Sequence, residues 1–475
     1  MRKIAALILS VVLILALLAG CGSNDTGVKL DPNNPVTIVV WHYYSGPLMN
    51  AFQASIRHFN ETVGAEMGII VESNGFGSVS ELEQAVLSSA NREIGSMDMP
   101  NIFASFADTA YEAEKMGLLA NLDDYFTAEE QSRYLEAFIE GGRIGLNREL
   151  RIFPAAKATE VLIVNETDWL FFAEATGATY DDLATMEGIV RTARMYYSWS
   201  GGKALFGRDV MANLFIVTSR AFGTEIFEVN SGIGSININR DVMRLIWDNY
   251  YVPYISGYFT SYGRFSSDDA KVGDVLMYVG STSSASFFPT EVTVNRVTYP
   301  VTARVLPAPG FEGGRNVMVQ QGAGLVVTQS TPEEEFASVE FLKWFTDIPQ
   351  NIEFAAATGY IPVRNDALDY DLLISHMDTL GVPISPIVYD TLRVSLDGIS
   401  VSELYTNMAF EGGTAARRVL ERDLQDKAVA DREAVEQLIS DGMAHGDAVA
   451  QFNTDALFSE WVEGLTARLN ETIGG

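Results

Sequence analysis

Cys21 is the only cysteine of the chain, and its setting gives its thiol a chemical task. It closes the run Leu18-Ala19-Gly20-Cys21 after a stretch from Ile4 to Ala19 that is apolar except for Ser10, with Arg2 and Lys3 ahead of it. A small residue before the cleavage point and a thiol after it are what lipid transfer followed by signal removal requires, so Cys21 is read as the lipidation site. The competing reading is a plain amino-terminal membrane anchor, because the apolar run is close to the roughly 18 to 20 residues a bilayer needs. Both readings put the remaining chain outside the cytoplasmic membrane.

A second set of residues suits a solute rather than a reaction. Tyr43, Tyr44 and Ser45, the stretch Asn74 to Ser78 with Phe76 and Ser78, and Asp108 combine ring faces, hydroxyls, amides and one carboxylate. A neutral polyol needs that combination, since its C–H faces stack on rings while its hydroxyls donate and accept hydrogen bonds. The plainer alternative is that Tyr43 and Tyr44 are half-buried tyrosines with no ligand. Gly280, Ser281 and Thr282 form a similar glycine and hydroxyl turn, where glycine lets a ligand approach backbone N–H groups.

Catalytic chemistry finds few footholds. The histidines His42, His58, His376 and His445 are scattered, with no HExxH spacing. Neither a GxxxxGK[ST] loop nor a GxSxG elbow is present. No catalytic residue, metal or cofactor is therefore assigned. A glycosidase carboxylate pair has no sequence spacing to betray it, so a lipoprotein glycoside hydrolase stays as the rival from another class.

The elements that must position these groups begin at Val36. Val36 to Trp41 reads as a strand covered on both faces, and Leu48, Phe52, Ile56, Phe59 and Val63 recur on one helical face. A second strand is expected from Gly68 to Val71, then a helix opened by a capping box at Ser80 to Glu83 and running through Ala90. A third strand follows at Pro100 to Phe106, with a helix near Thr109 to Met116. This β-α-β-α-β alternation predicts a doubly wound α/β sheet with ligands at the carboxyl ends of its strands. Thr127 to Glu130 carries another capping box. Residues 22–35 are small and polar and read as a flexible tether.

Composition sets the bounds. The 475 residues are 47% hydrophobic, enough for two to three domains. The formal net charge of −30 disfavours nucleic acid and anionic lipid as partners, while leaving the sign of a local pocket open. No later apolar run reaches membrane-spanning length. Ala415 to Ile439 alternates charges with heptad-like apolar positions and reads as a helix with one solvated face.

From Arg151 the chain resembles the extracellular solute-binding proteins of ABC importers, family 1. The resemblance rests on RIFPAAKATEVLIVNETDWLFFAEATGATYDDLATMEGIV, on GDVLMYVGSTSSASFF from Gly273, on VLPAPGFEGGRNVMVQQGAGLVV from Val305, and on the helix from Thr331 to Leu368. It runs in order from about Val36 to Leu368. Phe153 departs from the usual leucine, and Val164-Asn165-Glu166 from the usual Tyr-Asn-Lys. The resemblance implies a two-lobe periplasmic-binding-protein-like fold in which the chain crosses between lobes three times, near Pro154, Pro307 to Gly310, and Tyr360 to Pro362. The amino-terminal lobe would comprise 36–153 and 308–359, the other 154–307 and 360–475, after a signal peptide at 1–20 and a lipid-anchored tether at 21–35. It also implies further ligand contacts at Thr159, Glu160, Gln321 and Gly322. Arg364 matches an arginine that engages phosphate in the family's glycerol-phosphate branch, where a salt bridge to Asp366 or Asp369 is the plainer role. The expected function is a monomeric, lipid-anchored receptor on the extracytoplasmic side that captures a sugar or oligosaccharide and delivers it to ABC permease subunits. A glycerol-phosphate receptor of the same fold, or a sensory binding protein, are the alternatives within the class.

Overall fold

The computed structural model describes residues 27–230, 232–294 and 296–473. The expected signal peptide at 1–20 and the expected lipidation site at Cys21 lie outside the described residues. Of the expected tether, Asp31 and Asn34 close a turn packed against Gly68, whose backbone at φ +80 leaves no room there for a side chain. Leu30 rests on the first core, so ordered packing begins before Val36.

The first sheet has the order Ile69–Gly75, Val36–His42, Ile102–Ser105, Gly324–Val327, Ile152–Phe153. The first three strands are parallel, as the β-α-β-α-β pattern requires, and the last two run antiparallel to their neighbours. The second strand extends to Gly75, beyond the expected Val71, because its parallel register with Val36–His42 continues to the pair His42 and Gly75. Helix Gly46–Glu61 buries Leu48, Phe52, Ile56 and Phe59 on the face the spacing predicts. The following helix, Val79–Ala90, starts two residues earlier than expected: Ser78 is its cap, accepting from Glu81 N–H, while the Glu81 carboxylate accepts from Gly77 N–H. Ser78-Val79-Ser80-Glu81 and Ser80-Glu81-Leu82-Glu83 both satisfy the capping spacing, and the upstream pair prevails. The box at Thr127 and Glu130 forms as read.

The second sheet is mixed, with the order Ala303–Pro307, Glu160–Asn165, Met277–Ser281, Phe206–Arg208. All six residues of Glu160–Asn165 are buried, because its alternate side chains enter different cores. Leu162 and Val164 join the core that helix Gly413–Ser440 covers, whereas Val161 and Ile163 join the core under helices Tyr370–Leu380 and Pro386–Val401. The heptad-like stretch is part of Gly413–Ser440, which buries Ala416, Leu420, Leu424, Ala428 and Val435 and turns its charges outward.

Three stretches join the two sheets. Lys157 and Ile361 exchange backbone hydrogen bonds of 3.2 and 2.6 Å, and Ala158 and Gln321 do so at 3.0 and 2.8 Å, so the stretches lie side by side. Helix Ile348–Thr358 spans the joint, with Phe354 in the first core and Ile352 and Ala356 in the core beneath the second sheet. The middle passage differs from the expected Pro307 to Gly310. Gly310 bridges Thr185, Phe311 is buried in the second core, and Val317–Val319 pairs with Glu403–Tyr405. Residues 308–319 therefore pack on the second lobe, and the chain passes over at Gln320 to Ala323. Burial of Phe311 outweighs the turn tendency of the prolines.

Candidate functional site

The carboxyl end of Val36–His42 builds an aromatic wall. Tyr44 is buried, with ring centroids 5.3 Å from His42, 5.2 Å from Phe52, 5.7 Å from Phe354 and 6.1 Å from Tyr360. Burial lowers the His42 imidazole to about 4, so it is neutral, and its Nδ1 accepts from Tyr44 N–H at 3.2 Å. Tyr43 is half-buried. Its hydroxyl lies 3.5 Å from the Tyr360 hydroxyl and accepts from Ala323 N–H at 3.4 Å, and its ring lies 6.4 Å from Phe106. Tyr43 is thus a face of the wall and Tyr44 its backing. Phe76, half-buried on Trp41 at 5.2 Å, stands at the neighbouring strand end. Ser45 is exposed and precedes helix Gly46–Glu61 without a side-chain cap bond, while Ser78 is occupied as a helix cap.

The second sheet's strand ends carry a polar network. Glu160 pairs with Arg208 at 2.5 Å and accepts from the Asn213 amide at 2.9 Å, and both Glu160 and Arg208 are buried. Arg417 of helix Gly413–Ser440 donates to the side-chain oxygens of Asn213 and Asn407, each at 3.0 Å. Asp209 accepts from the Ser266 backbone and hydroxyl, both at 2.9 Å, and burial raises its carboxyl to about 6 against those donors. Val210 follows at φ 50 and ψ 73, a left-handed conformation that strains a β-branched residue at the start of helix Met211–Ala221. Thr282 N–H bonds the Thr159 carbonyl at 2.9 Å, and the Ser281 and Ser283 hydroxyls lie 3.1 Å apart. A Cβ at Gly280 would lie 2.8 Å from Ser284 Oγ and 3.2 Å from Asp209 Oδ2, so glycine lets these side chains close over the strand end. Gly322, at φ +83, is likewise pressed against the Ala156 carbonyl.

The two walls meet. Asp108, 6% exposed, packs its carboxylate against Gly413 at the start of the long helix, so that a Cβ there would lie 2.4 Å from Oδ1. Burial raises Asp108 to about 6, opposed by the Arg417 charge and assisted by Glu83 and Glu112. Around this contact Lys115 pairs with Glu411 at 2.6 Å, and the Tyr111 hydroxyl donates to the Gly232 carbonyl at 3.4 Å. The lobes are closed on each other. Among the described residues, His42 Nε2, Asp108 Oδ1, Arg208 Nε, Thr282 Oγ1 and Gln321 Oε1 are buried with no hydrogen-bond partner. Buried polar atoms are rarely left so; these five belong to residues at the strand ends and the joint, and other such atoms, among them Ser89 Oγ, Arg151 Nε and Tyr370 OH, belong to residues elsewhere.

Most of the residues selected from sequence come together here: Tyr43, Tyr44, Asp108, Thr159, Glu160, Gly280 to Thr282, Gln321 and Gly322. Thr159 and Glu160 also border a cavity of about 360 Å³ with Arg208, Leu214, Phe311 and Met318. Arg364 is instead held by Asp347 at 2.5 Å and Asp366 at 3.0 Å, which is the salt-bridge role with Asp347 in place of Asp369. Sequence reading missed Tyr360, Arg208, Asp209, Asn213, Asn407 and Arg417.

Two α/β lobes joined by three adjacent stretches, with facing strand-end loops, define a cleft-binding protein of the periplasmic-binding-protein type. The chain belongs to the family of bacterial extracellular solute-binding proteins, which it matches over residues 54–377. Its fold is similar to that of UgpB from Mycobacterium tuberculosis in complex with glycerophosphocholine, at 16% identity and a TM-score of 0.67, covering 92% of this chain and 100% of that one. An ABC substrate-binding protein from Listeria monocytogenes in complex with cycloalternan matches at 13% identity and 0.67, covering 93% and 100%. A cyclic alpha-maltosyl-1,6-maltose binding protein from Arthrobacter globiformis matches at 15% and 0.65, covering 93% and 99%. No curated protein sequence matches the chain. Among the described residues no helix is long and apolar enough to cross a membrane.

Proposed function

We propose that this solute-binding protein captures a neutral sugar or oligosaccharide between the aromatic and polar walls. It then delivers the closed form to the membrane subunits of an ABC importer. Lipid on Cys21 holds it on the extracytoplasmic face, and it performs no catalysis on its ligand. The observation that carries the ligand class is the pairing of the half-buried Tyr43 ring, backed by Tyr44 and Tyr360, with buried, unpartnered acceptors and donors on Asp108, Thr282, Gln321 and Arg208. Rings take the C–H faces of a sugar, and a carboxylate, hydroxyl and amide take its hydroxyls. Phosphate fits less well, because Arg364 and Arg208 are neutralised by their own carboxylates. Of the similar structures, one is a cyclic alpha-maltosyl-1,6-maltose binding protein, one is a complex with cycloalternan, and one is a complex with glycerophosphocholine.

The hinge in this reading is the bundle of the three joining stretches, and the lobes rotate about it to admit and enclose the ligand. Lys157 sits in that bundle, its ammonium 3.3 Å from the Gly322 carbonyl, with burial lowering it to about 8. Isothermal titration against neutral oligosaccharides and glycerophosphodiesters, with product analysis of the same mixtures, tests the proposal. Saturable sugar binding with sugar recovered intact is expected. Hydrolysis products, or binding confined to phosphodiesters, would replace it.

A further inference from the structure

The strands of the second sheet have a far end as well as a cleft end. Glu160 pairs with Ser281 beside the cleft, and Val164 pairs with Met277 toward the opposite pole of the lobe. At that pole two cavities of about 430 and 300 Å³ share Lys203, Gly273 and Val294, so they form one trough. One bank is the end of helix Met186–Ser200, joined by Asp168 and Phe171 of helix Glu166–Thr176. The other bank is the hairpin of Glu291–Val294 and Val297–Pro300. Gly273, at φ +73, lets the hairpin close in, since a Cβ there would lie 2.5 Å from Val294 Cγ2. None of the residues assigned to the cleft walls lines this trough.

Its lining combines ring faces with hydrogen-bonding groups. Phe171 and Trp199 are 65% and 46% exposed, although rings of this size are mostly buried. Trp199 is held in place by Phe172 and Tyr196, at 5.5 and 5.8 Å between ring centroids. Tyr196 is 8% exposed and lines the same cavity, and its hydroxyl has no hydrogen-bond partner among the described residues. Beside it the Asp168 carboxylate is fixed by the Asn165 amide at 2.7 Å and by the Tyr299 hydroxyl at 2.8 Å. Lys203, common to both cavities, forms no ion pair among the described residues. A buried hydroxyl left without a partner calls for a polar ligand atom. Fixed ring faces beside single hydroxyl, carboxylate and ammonium groups match a ring-shaped polyol, with C–H on its faces and hydroxyls at its rim. The net charge of −30 repels a polyanion from so open a surface, which leaves an uncharged glycan.

We infer that this trough is a second carbohydrate site, remote from the cleft, that holds a neutral polysaccharide against the outer pole of the second lobe. The site does not depend on what the cleft binds. The test is electrophoresis of the full chain through native gels containing soluble starch, mixed-linkage β-glucan or galactomannan, with polygalacturonate as the anionic comparison. Wild type is compared with the double change Phe171→Ala and Trp199→Ala, with Tyr196→Phe, with Lys203→Glu at an exposed position, and with Tyr43→Ala in the cleft. At least one neutral polymer should slow wild type. The double change should weaken that retardation about tenfold or more, at an unchanged melting temperature. Tyr196→Phe and Lys203→Glu should each weaken it several-fold, and Tyr43→Ala should leave it intact. Retardation by no neutral polymer, or by polygalacturonate alone, overturns the inference. So does retardation that survives the double change and Lys203→Glu. Retardation lost in Tyr43→Ala assigns the polymer to the cleft and overturns the second site, while leaving the carbohydrate reading of the cleft in place.

Discussion

The two walls of the cleft are built on opposite plans. On the first lobe, aromatic rings from one strand end and the joint stack into a nearly continuous surface, with Tyr43, Tyr44, Phe354 and Tyr360 as neighbours. On the second lobe, the strand ends present Glu160, Arg208, Asp209 and Asn213, linked through Arg417 to the start of the long helix. The difference assigns different work to each side: the first offers shape and apolar contact, the second directional hydrogen bonds. An amphipathic ligand such as a sugar ring uses both, which explains why neither wall alone defines the site.

The largest effect should come from breaking the polar wall at its most buried pair. Arg208→Leu leaves the Glu160 carboxylate uncompensated, which should cost about 3–5 kcal/mol in urea unfolding. The double replacement of Glu160 and Arg208 by leucine should recover most of that loss. If the single change leaves the unfolding midpoint in place, the network is not a structural unit.

Asp108 separates the walls by pH. Its carboxyl is raised to about 6 in the closed form by burial, whereas an open cleft would return it toward an ordinary carboxylate. The closed form therefore binds the proton more tightly, so its contribution to closure is fully present below about pH 4 and is lost as pH rises through about 6. Ligand affinity should weaken by about 1–3 kcal/mol across that window, and Asp108→Asn should flatten the profile. A wild-type affinity that is flat or rises over the same window would contradict this account.

On the aromatic side, Tyr43→Ala should weaken sugar binding by about 1 kcal/mol with little change in melting temperature, because Tyr43 is half-buried and faces the cleft. Unchanged affinity would remove it from the wall. Ser78→Ala sharpens the contrast further: with its hydroxyl capping Val79–Ala90, the change should lower stability by about 1 kcal/mol and leave binding alone. A loss of affinity at constant stability would return Ser78 to the ligand site.

How much was legible in the sequence follows the same division. The first wall arises from short segments that each directly follow a strand, so the β-α-β-α-β pattern alone brought Tyr43, Tyr44, Phe76 and Asp108 to one edge. The second wall gathers residues from 160, 208–213, 280–284 and 407–417, whose meeting depends on a mixed sheet order and on the path of the last long helix. Arg208 and Asn213 carry no local pattern that announces them. Arg364 illustrates the converse: it stands where the resemblance suggested, but Asp347, seventeen positions upstream, is brought to it by the turn before helix Ile348–Thr358 and holds it. The passage between lobes was misplaced for a related reason, since proline punctuation at Pro307 is local whereas burial of Phe311 is tertiary.

The most direct test of the central claim is a crystal structure of the protein with the tightest-binding oligosaccharide from the titration series. The account predicts a sugar ring against Tyr43, with its hydroxyls within hydrogen-bond distance of Asp108 and of Thr282 or Gln321. Clear density for the sugar elsewhere on a closed molecule, with those polar atoms still unpartnered, would contradict it.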